Sequence, residues 1–160
     1  MAKVPQERVA DISINRKALR EYHISERFEA GLELKGTEVK SIRAGHVNLS
    51  NAFARIEKGQ AWLYDVDIQP YAKASHEQHE AKRVRRLLMH KHEIVKLQAQ
   101  SQIKGHALVG LRLYWKKSCV KVEIGVGKGK EQRDQRADLK KRVVKREMDR
   151  ETARFNQRRG

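Results

Sequence analysis

Tyr22-His-Ile-Ser-Glu-Arg-Phe-Glu-Ala-Gly-Leu-Glu-Leu34 decides the fold. Tyr22, Ile24, Phe28, Ala30, Leu32 and Leu34 fall on even positions, while His23, Ser25, Arg27, Glu29, Gly31 and Glu33 fall on odd ones. Period two over such a length is the signature of a strand with one buried face. A helix from Glu26 to Leu34 is the rival reading, because Glu, Ala and Leu favour helices, but Gly31 inside it weakens it. At roughly 3.3 Å per residue the strand would be over about 40 Å long, so it must bend, and Gly31 is the natural place.

Two hairpins follow the same logic. Asn51 to Glu57 and Gln60 to Ile68 are joined by Lys58-Gly59, a turn with Gly where a positive φ is wanted. Pairing Glu57 with Gln60 sets Phe53 against Tyr64, Arg55 against Trp62 and Ile56 against Ala61. The second hairpin runs from Ala107 to Trp115 and from Val120 to Val126, with Lys116 to Cys119 as a four-residue loop. Only a Trp115–Val120 pairing puts Val109/Leu111/Leu113/Trp115 and Val120/Val122/Ile124/Val126 on one face. Between the hairpins a short helix is predicted at Thr37 to Ala44, closed by Gly45, and a longer one at Arg83 to Gln100 with Leu87, Leu88, Ile94, Val95 and Leu97 inward. Five or more strands, one long and bent, with a helix before the last hairpin, predict a mainly β, OB-fold-like antiparallel barrel with flanking helices. An open α+β sheet is the alternative.

Further out, charge divides the chain. Over 160 residues there are 36 Lys plus Arg against 20 Asp plus Glu, a net +16. Residues 127–160 hold +7 of this and the first 126 hold +9. The basic C-terminal segment has few large apolar residues (Leu139, Val143, Val144, Met148 and Phe155), set among charges. Such a segment lacks the apolar surface to offset its own ordering entropy. The expected organisation is therefore a barrel over 1–126, a hinge at Gly127 to Gly129, and a tail over 127–160 that is disordered when free and helical on an anionic partner. The length suits one domain with a tail. No stretch approaches the roughly 20 apolar residues of a membrane span, and the start, Met1 to Asp11, lacks the apolar run of an export signal. With Cys119 as the single cysteine, a cytoplasmic protein is expected.

Enzyme signatures are weak. Gly125-Val-Gly-Lys-Gly-Lys130 resembles a phosphate loop, but Ile124 and Glu131 stand where a P-loop needs Gly and Ser or Thr. The pairs His76/His79 and His90/His92 lack a metal-site motif and have basic neighbours, so they read as solvated or RNA-facing histidines. Asp65 and Asp67 offer the weakest option, a Mg²⁺-dependent nuclease. No cofactor and no metal is expected. Binding signals are stronger: Asn15-Arg16-Lys17 and Lys82-Arg-Val-Arg-Arg86 are clusters suited to phosphates. Aromatic residues make up only 6%, which leaves few stacking platforms and favours a folded, backbone-rich RNA.

Several blocks together resemble the SmpB family of bacterial tmRNA-binding proteins. They are Asn15-Arg-Lys-Ala18 with Glu21-Tyr22, Phe28-Glu-Ala-Gly-Leu32, Gly36-Thr-Glu-Val-Lys-Ser-Ile-Arg-Ala-Gly45, Asn48-Leu, Arg85-Arg-Leu-Leu88, Leu113-Tyr-Trp-Lys116 and Lys121-Val-Glu-Ile-Gly-Val126. The resemblance runs from about residue 10 to 136. It implies a monomeric, non-enzymatic adaptor for trans-translation. Such a protein binds the tRNA-like domain of tmRNA, enters the A site of stalled ribosomes with EF-Tu and GTP, and probes the small-subunit decoding centre with its tail. Matching positions imply tmRNA contacts at Asn15, Glu29 and Leu88, with Arg83, Arg85 and Arg86 on phosphates; Arg16 and Lys17 join them from the basic cluster. In the tail the matching positions imply decoding-centre contacts at Gly129, Lys130, Asp134 and Arg136, and Lys128, Arg133, Lys140 and Lys141 are the further candidates beside them. Glu131 and Gln135 stand where the family has lysines, and Arg133 where it often has an aromatic. A structural or assembly protein of the ribosome that holds rRNA is the competing reading.

Overall fold

The alternating stretch forms one strand, β2 (Tyr22–Leu32), in a computed structural model that describes residues 9–74 and 78–159. Before it come β1 (Ala10–Ile14) and α1 (Arg16–Glu21); after it come α2 (Gly36–Arg43), β3 (Val47–Asn48), β4 (Phe53–Glu57), β5 (Gln60–Tyr64), β6 (Asp67–Ile68) and β7 (Arg85–Leu88). The series closes with α3 (Lys91–Ser101), β8 (His106–Lys116), β9 (Cys119–Gly129) and α4 (Gln132–Arg159). The strand order β1-β8-β4-β5-β7-β2-β9, with β9 also paired to β8, joins six strands in a ring and leaves β1 on the outside. Every pairing is antiparallel. This is the OB-like barrel the sequence predicts, and closure removes the exposed edges an open sheet would leave.

The bend in β2 lies elsewhere than expected. The register slips between Ile24 and Glu26, a bulge at Ser25. Below it Tyr22 and Ile24 pack on a small cluster of Ala18, Val109 and Leu111, while above it Phe28, Ala30 and Leu32 join the barrel core. A bulge adds one residue to one strand, and so moves the apolar positions to the other face. Strand β8 does the same between Gly110 and Arg112. Val109 and Leu111 therefore leave the face expected of them, whereas Leu113 remains inside with Val120, Val122, Ile124 and Val126. Gly31 serves close approach: a Cβ there would lie 3.2 Å from Cβ of Leu88.

The first hairpin has the expected register, Glu57 with Gln60 and Phe53 with Tyr64. It stops at Tyr64, because Asp65 takes a positive φ of 56°. In the second, Trp115 pairs with Val120 as predicted, but Lys116 also pairs with Cys119. The loop is thus two residues, Lys117 and Ser118, both at positive φ (49° and 62°). Such a turn matches the twist of the flanking strands.

The predicted helix from Arg83 to Gln100 is corrected. Its first part is β7, whose residues alternate buried and exposed from Arg85 to Leu88. Only Lys91–Ser101 is helical, starting after an extended His90 whose backbone N–H donates to Glu93 Oε2 at 3.2 Å. Ile94 and Leu97 are buried, whereas Leu88 and Val95 are exposed.

A buried ion cluster ties α2 to β7. Glu38, fully buried, accepts from the backbone N–H of Lys35 at 2.8 Å, from Arg83 Nη2 at 2.9 Å and from Arg85 Nε at 3.0 Å. Arg85, equally buried, also donates to the carbonyls of Val66, Arg83 and Ala81. Burial alone would push the Glu38 carboxyl up, but the bonds from Arg83 and Lys35 and the charge of Arg85 win, and it lies at about 2.

The chain divides into two compact units after Gly129. Gly127 to Gly129, expected as a hinge, lie within β9 and pair with Ile24, His23 and Tyr22. A Cβ on Gly127 would come within 2.9 Å of Cβ of Tyr22, so the glycine permits packing and does not mark a joint. The tail, for which a helix on its partner is expected, is the continuous helix α4. Leu139, Val143, Val144, Met148 and Phe155 are all exposed along it. Local terms favour the helical form: Lys130 pairs with Asp138, and opposite charges stand four apart in sequence at Asp138/Arg142 and Lys145/Asp149.

Candidate nucleic-acid interface

Strands β2, β5, β7 and β9 meet at a groove of about 450 Å³ lined by Glu29, Gln60, Arg86, Leu88, His90 and Lys121, among others. The register explains the meeting: Gly31 pairs with Leu88 on one side and Lys121 on the other, and Arg86 pairs with Trp62. Because β7 alternates, Arg85 and Leu87 point inward while Arg86 and Leu88 point out. Leu88 is 51% exposed, an apolar contact surface beside two cations. Arg86 Nε donates to Gln60 Oε1 at 3.1 Å and remains exposed.

Two carboxylates line this groove: Glu93, which accepts from the backbone N–H of His90, and Glu29. The hydroxyl of Tyr114 donates to its Oε2, and Lys116 Nζ lies 3.1 Å from Oε1. The Tyr114 bond, opposed by partial burial and aided by Lys116 and Lys121, holds the Glu29 carboxyl below its ordinary value. Tyr114, only 3% exposed, is pushed well above the usual phenol range by burial and by that carboxylate. Glu123, opposite Glu29 in the register, is neutralised separately by Arg112 at 3.0 Å and Arg27 at 3.5 Å. Arg112 also binds Asp11 at 3.0 Å and lies 4.6 Å from the Tyr114 ring centroid.

The remaining residues named from the sequence divide into exposed and internal. Arg16 and Lys17 are exposed on α1 and line a second groove with Arg20 and Ser50. Asn15 is corrected: it is 2% exposed, its amide donates to the carbonyls of Leu49 and Gly110 at 2.8 Å, and its oxygen caps α1 at the N–H of Ala18. Arg85 is corrected likewise, since its guanidinium faces Glu38 inside the fold. Arg83 is partly exposed but bound to Glu38. His79 is buried between Thr37 Oγ1 and the Ile68 carbonyl, each at 2.9 Å, so it is a packing histidine and neither solvated nor RNA-facing. His76 lies outside the described residues. His90 and His92 stack at 5.5 Å. Among the described residues no three His, Cys, Asp or Glu side chains gather to hold a metal, and Asp67 accepts from Gln69 at 2.9 Å.

In the second unit Arg133, Asp134, Arg136, Lys140 and Lys141 are exposed on α4, while the Lys130 side chain is 7% exposed and held by Asp138. Lys128 and Gly129 are exposed at the end of β9. Sequence reasoning missed Arg20 and Lys121 as site residues. Arg20 follows Arg16 and Lys17 at helical spacing, and Lys121 sits between Val120 and Val122 on the outward phase of β9, so both signals were present.

A closed basic barrel with a mixed apolar and cationic groove, followed by a basic helix, defines the class of OB-like nucleic-acid-binding proteins. The family model described as SmpB protein matches residues 12–154. The chain is 51% identical over 138 residues to the SsrA-binding protein of Carboxydothermus hydrogenoformans, covering 86% of this chain and 93% of that one. It is 46% identical over 146 residues to the SsrA-binding protein of Aquifex aeolicus, covering 91% and 93% respectively. A solved structure described as "tmRNA-SmpB: a journey to the center of the bacterial ribosome" is similar with a TM-score of 0.65 and 43% identity, over 75% of this chain and 85% of that one. The chain belongs to the SmpB family.

Proposed function

We propose that this chain is the tmRNA-binding adaptor of trans-translation, a binding protein and not an enzyme. It holds the tRNA-like domain of tmRNA on the barrel, accompanies it to the A site of stalled ribosomes and leads to peptide tagging and release. The observation that carries this reading is the groove between Glu29, Arg86, Leu88 and Lys121 on a family-matched barrel. Arg86 and Lys121, with Arg16, Lys17 and Arg20 on α1, supply phosphate partners; Leu88 supplies an apolar contact and Glu29 an acceptor for hydroxyl or amino donors. Phosphates repel a carboxylate, so Glu29 selects RNA features that present donors.

The division of duties follows the two units. The barrel through Gly129 grips tmRNA, and the exposed Arg133, Arg136, Lys140 and Lys141 of α4 meet small-subunit rRNA at the empty decoding centre. Glu131 and Gln135 make the start of this tail less basic than the family pattern, which shifts the load to cations further along the helix. The adaptor acts as a monomer in the cytoplasm, delivered with EF-Tu and GTP.

The test is binding of the purified chain to the tRNA-like domain of tmRNA and to an unrelated hairpin over a salt series. Tight binding to the first, weakening steeply with salt and at least about tenfold tighter than to the second, is expected. Equal affinity for both would refute the proposal and favour a general rRNA-holding protein.

A further inference from the structure

Glu29 lines a groove with the cations Arg86 and Lys121 and a second carboxylate, Glu93, where an unrestrained carboxylate would turn with whichever cation it meets. It is held from one side by a neutral and a charged donor: the Tyr114 hydroxyl donates to Oε2, and Lys116 Nζ lies 3.1 Å from Oε1 and 3.3 Å from Oε2. Tyr114 is almost wholly buried, and Arg112 lies against its ring. The hydroxyl is therefore fixed by packing, and it fixes the carboxylate in turn. An ionised carboxylate has about four lone-pair positions. Three donor contacts reach them, one from Tyr114 and two from Lys116, and the Glu29 side chain remains 41% exposed at the groove.

Resting on the tmRNA reading above, we propose that Tyr114, assisted by Lys116, is a positioning residue that sets Glu29 as an acceptor for one RNA donor, a ribose 2′-hydroxyl or a guanine amino group. Tyr114 has no room to touch RNA itself; it acts through Glu29. Without the hydroxyl, the carboxylate is free to pivot on Lys116 or swing toward Lys121, and the aimed bond becomes an unspecific charge.

The experiment is a double-mutant cycle with Tyr114→Phe and Glu29→Gln, measuring affinity for the tRNA-like domain. Phe keeps the ring and its packing. Tyr114→Phe is expected to weaken binding about fivefold in the native background and to have no effect beside Glu29→Gln. Equal loss in both backgrounds would overturn the proposal, as would no loss in either. Should Tyr114→Phe unfold the chain, Lys116→Met replaces it in the same cycle with the same expected coupling to Glu29. Single 2′-deoxy and single guanosine-to-inosine substitutions in the RNA identify the donor. One such substitution should weaken binding of the native chain and lose that penalty with Glu29→Gln; if none does, the acceptor role is overturned. Failure of the native chain to bind the tRNA-like domain would instead refute the tmRNA reading.

Discussion

Glu38→Gln should be among the most damaging substitutions in the barrel, although it changes one oxygen to nitrogen. The carboxylate is fully buried and receives bonds from Lys35, Arg83 and Arg85. Removing its charge leaves Arg85 buried among carbonyls with no carboxylate bonded to it and only the more distant Asp67 to offset its charge, and burial already depresses that guanidinium. Breaking one side of a buried pair costs about 3–5 kcal/mol. The fall of the Glu38 carboxyl from 4.5 to about 2 corresponds independently to about 3 kcal/mol. Against a typical total of about 5–15 kcal/mol, this is a large fraction. Urea denaturation should show the midpoint falling by about 1–3 M with an unchanged slope. Adding Arg85→Met should recover most of the loss, because the orphaned charge leaves with it. Since the folded carboxyl lies below its unfolded value, its contribution is complete above about pH 4.5 and is lost as pH falls toward 2. Glu38→Gln should abolish that part of the acid sensitivity. A midpoint shift equivalent to under about 1 kcal/mol, or a double variant as weak as the sum of the singles, would refute the reasoning.

Gly127→Ala should destabilise the barrel by about 1–3 kcal/mol in the same assay, because the new methyl meets Cβ of Tyr22, which cannot rotate away. A neutral result would restore the hinge reading of this segment. Asn15→Ala should lower stability by about 1–3 kcal/mol through loss of the α1 cap and two buried carbonyl partners, while tRNA-like-domain affinity measured on the folded fraction stays near native. Arg86→Ala should do the reverse, leaving the urea midpoint nearly unchanged and reducing both affinity and its salt dependence.

How far the sequence carried this structure depended on the range of the signals involved. Hairpin registers were legible because alternation and turn residues are local, and the Trp115–Val120 pairing followed from apolar phase alone. Bulges were not, since one inserted residue at Ser25 or between Gly110 and Arg112 leaves no distinctive composition. Strand β7 was hidden for a different reason: Arg85-Arg-Leu-Leu88 reads as helix until Glu38, far away in sequence, takes Arg85 inside. That same event removed Arg85 from the RNA surface and put Arg86 and Leu88 on it. Asn15 shows the converse limit, because a polar residue beside two cations gives no hint that its amide is buried. Glu29 was legible as an anomaly among cations, but its partners Tyr114 and Lys116 lie on a strand more than eighty residues away.

The central claim is that the barrel binds tmRNA and the helix serves the ribosome. Truncation after Gly129, with affinity for the tRNA-like domain and peptide tagging on ribosomes stalled at the end of an mRNA both measured, tests it most directly. The account predicts near-native affinity together with loss of tagging. Loss of both activities, or tagging that survives without the helix, would contradict it.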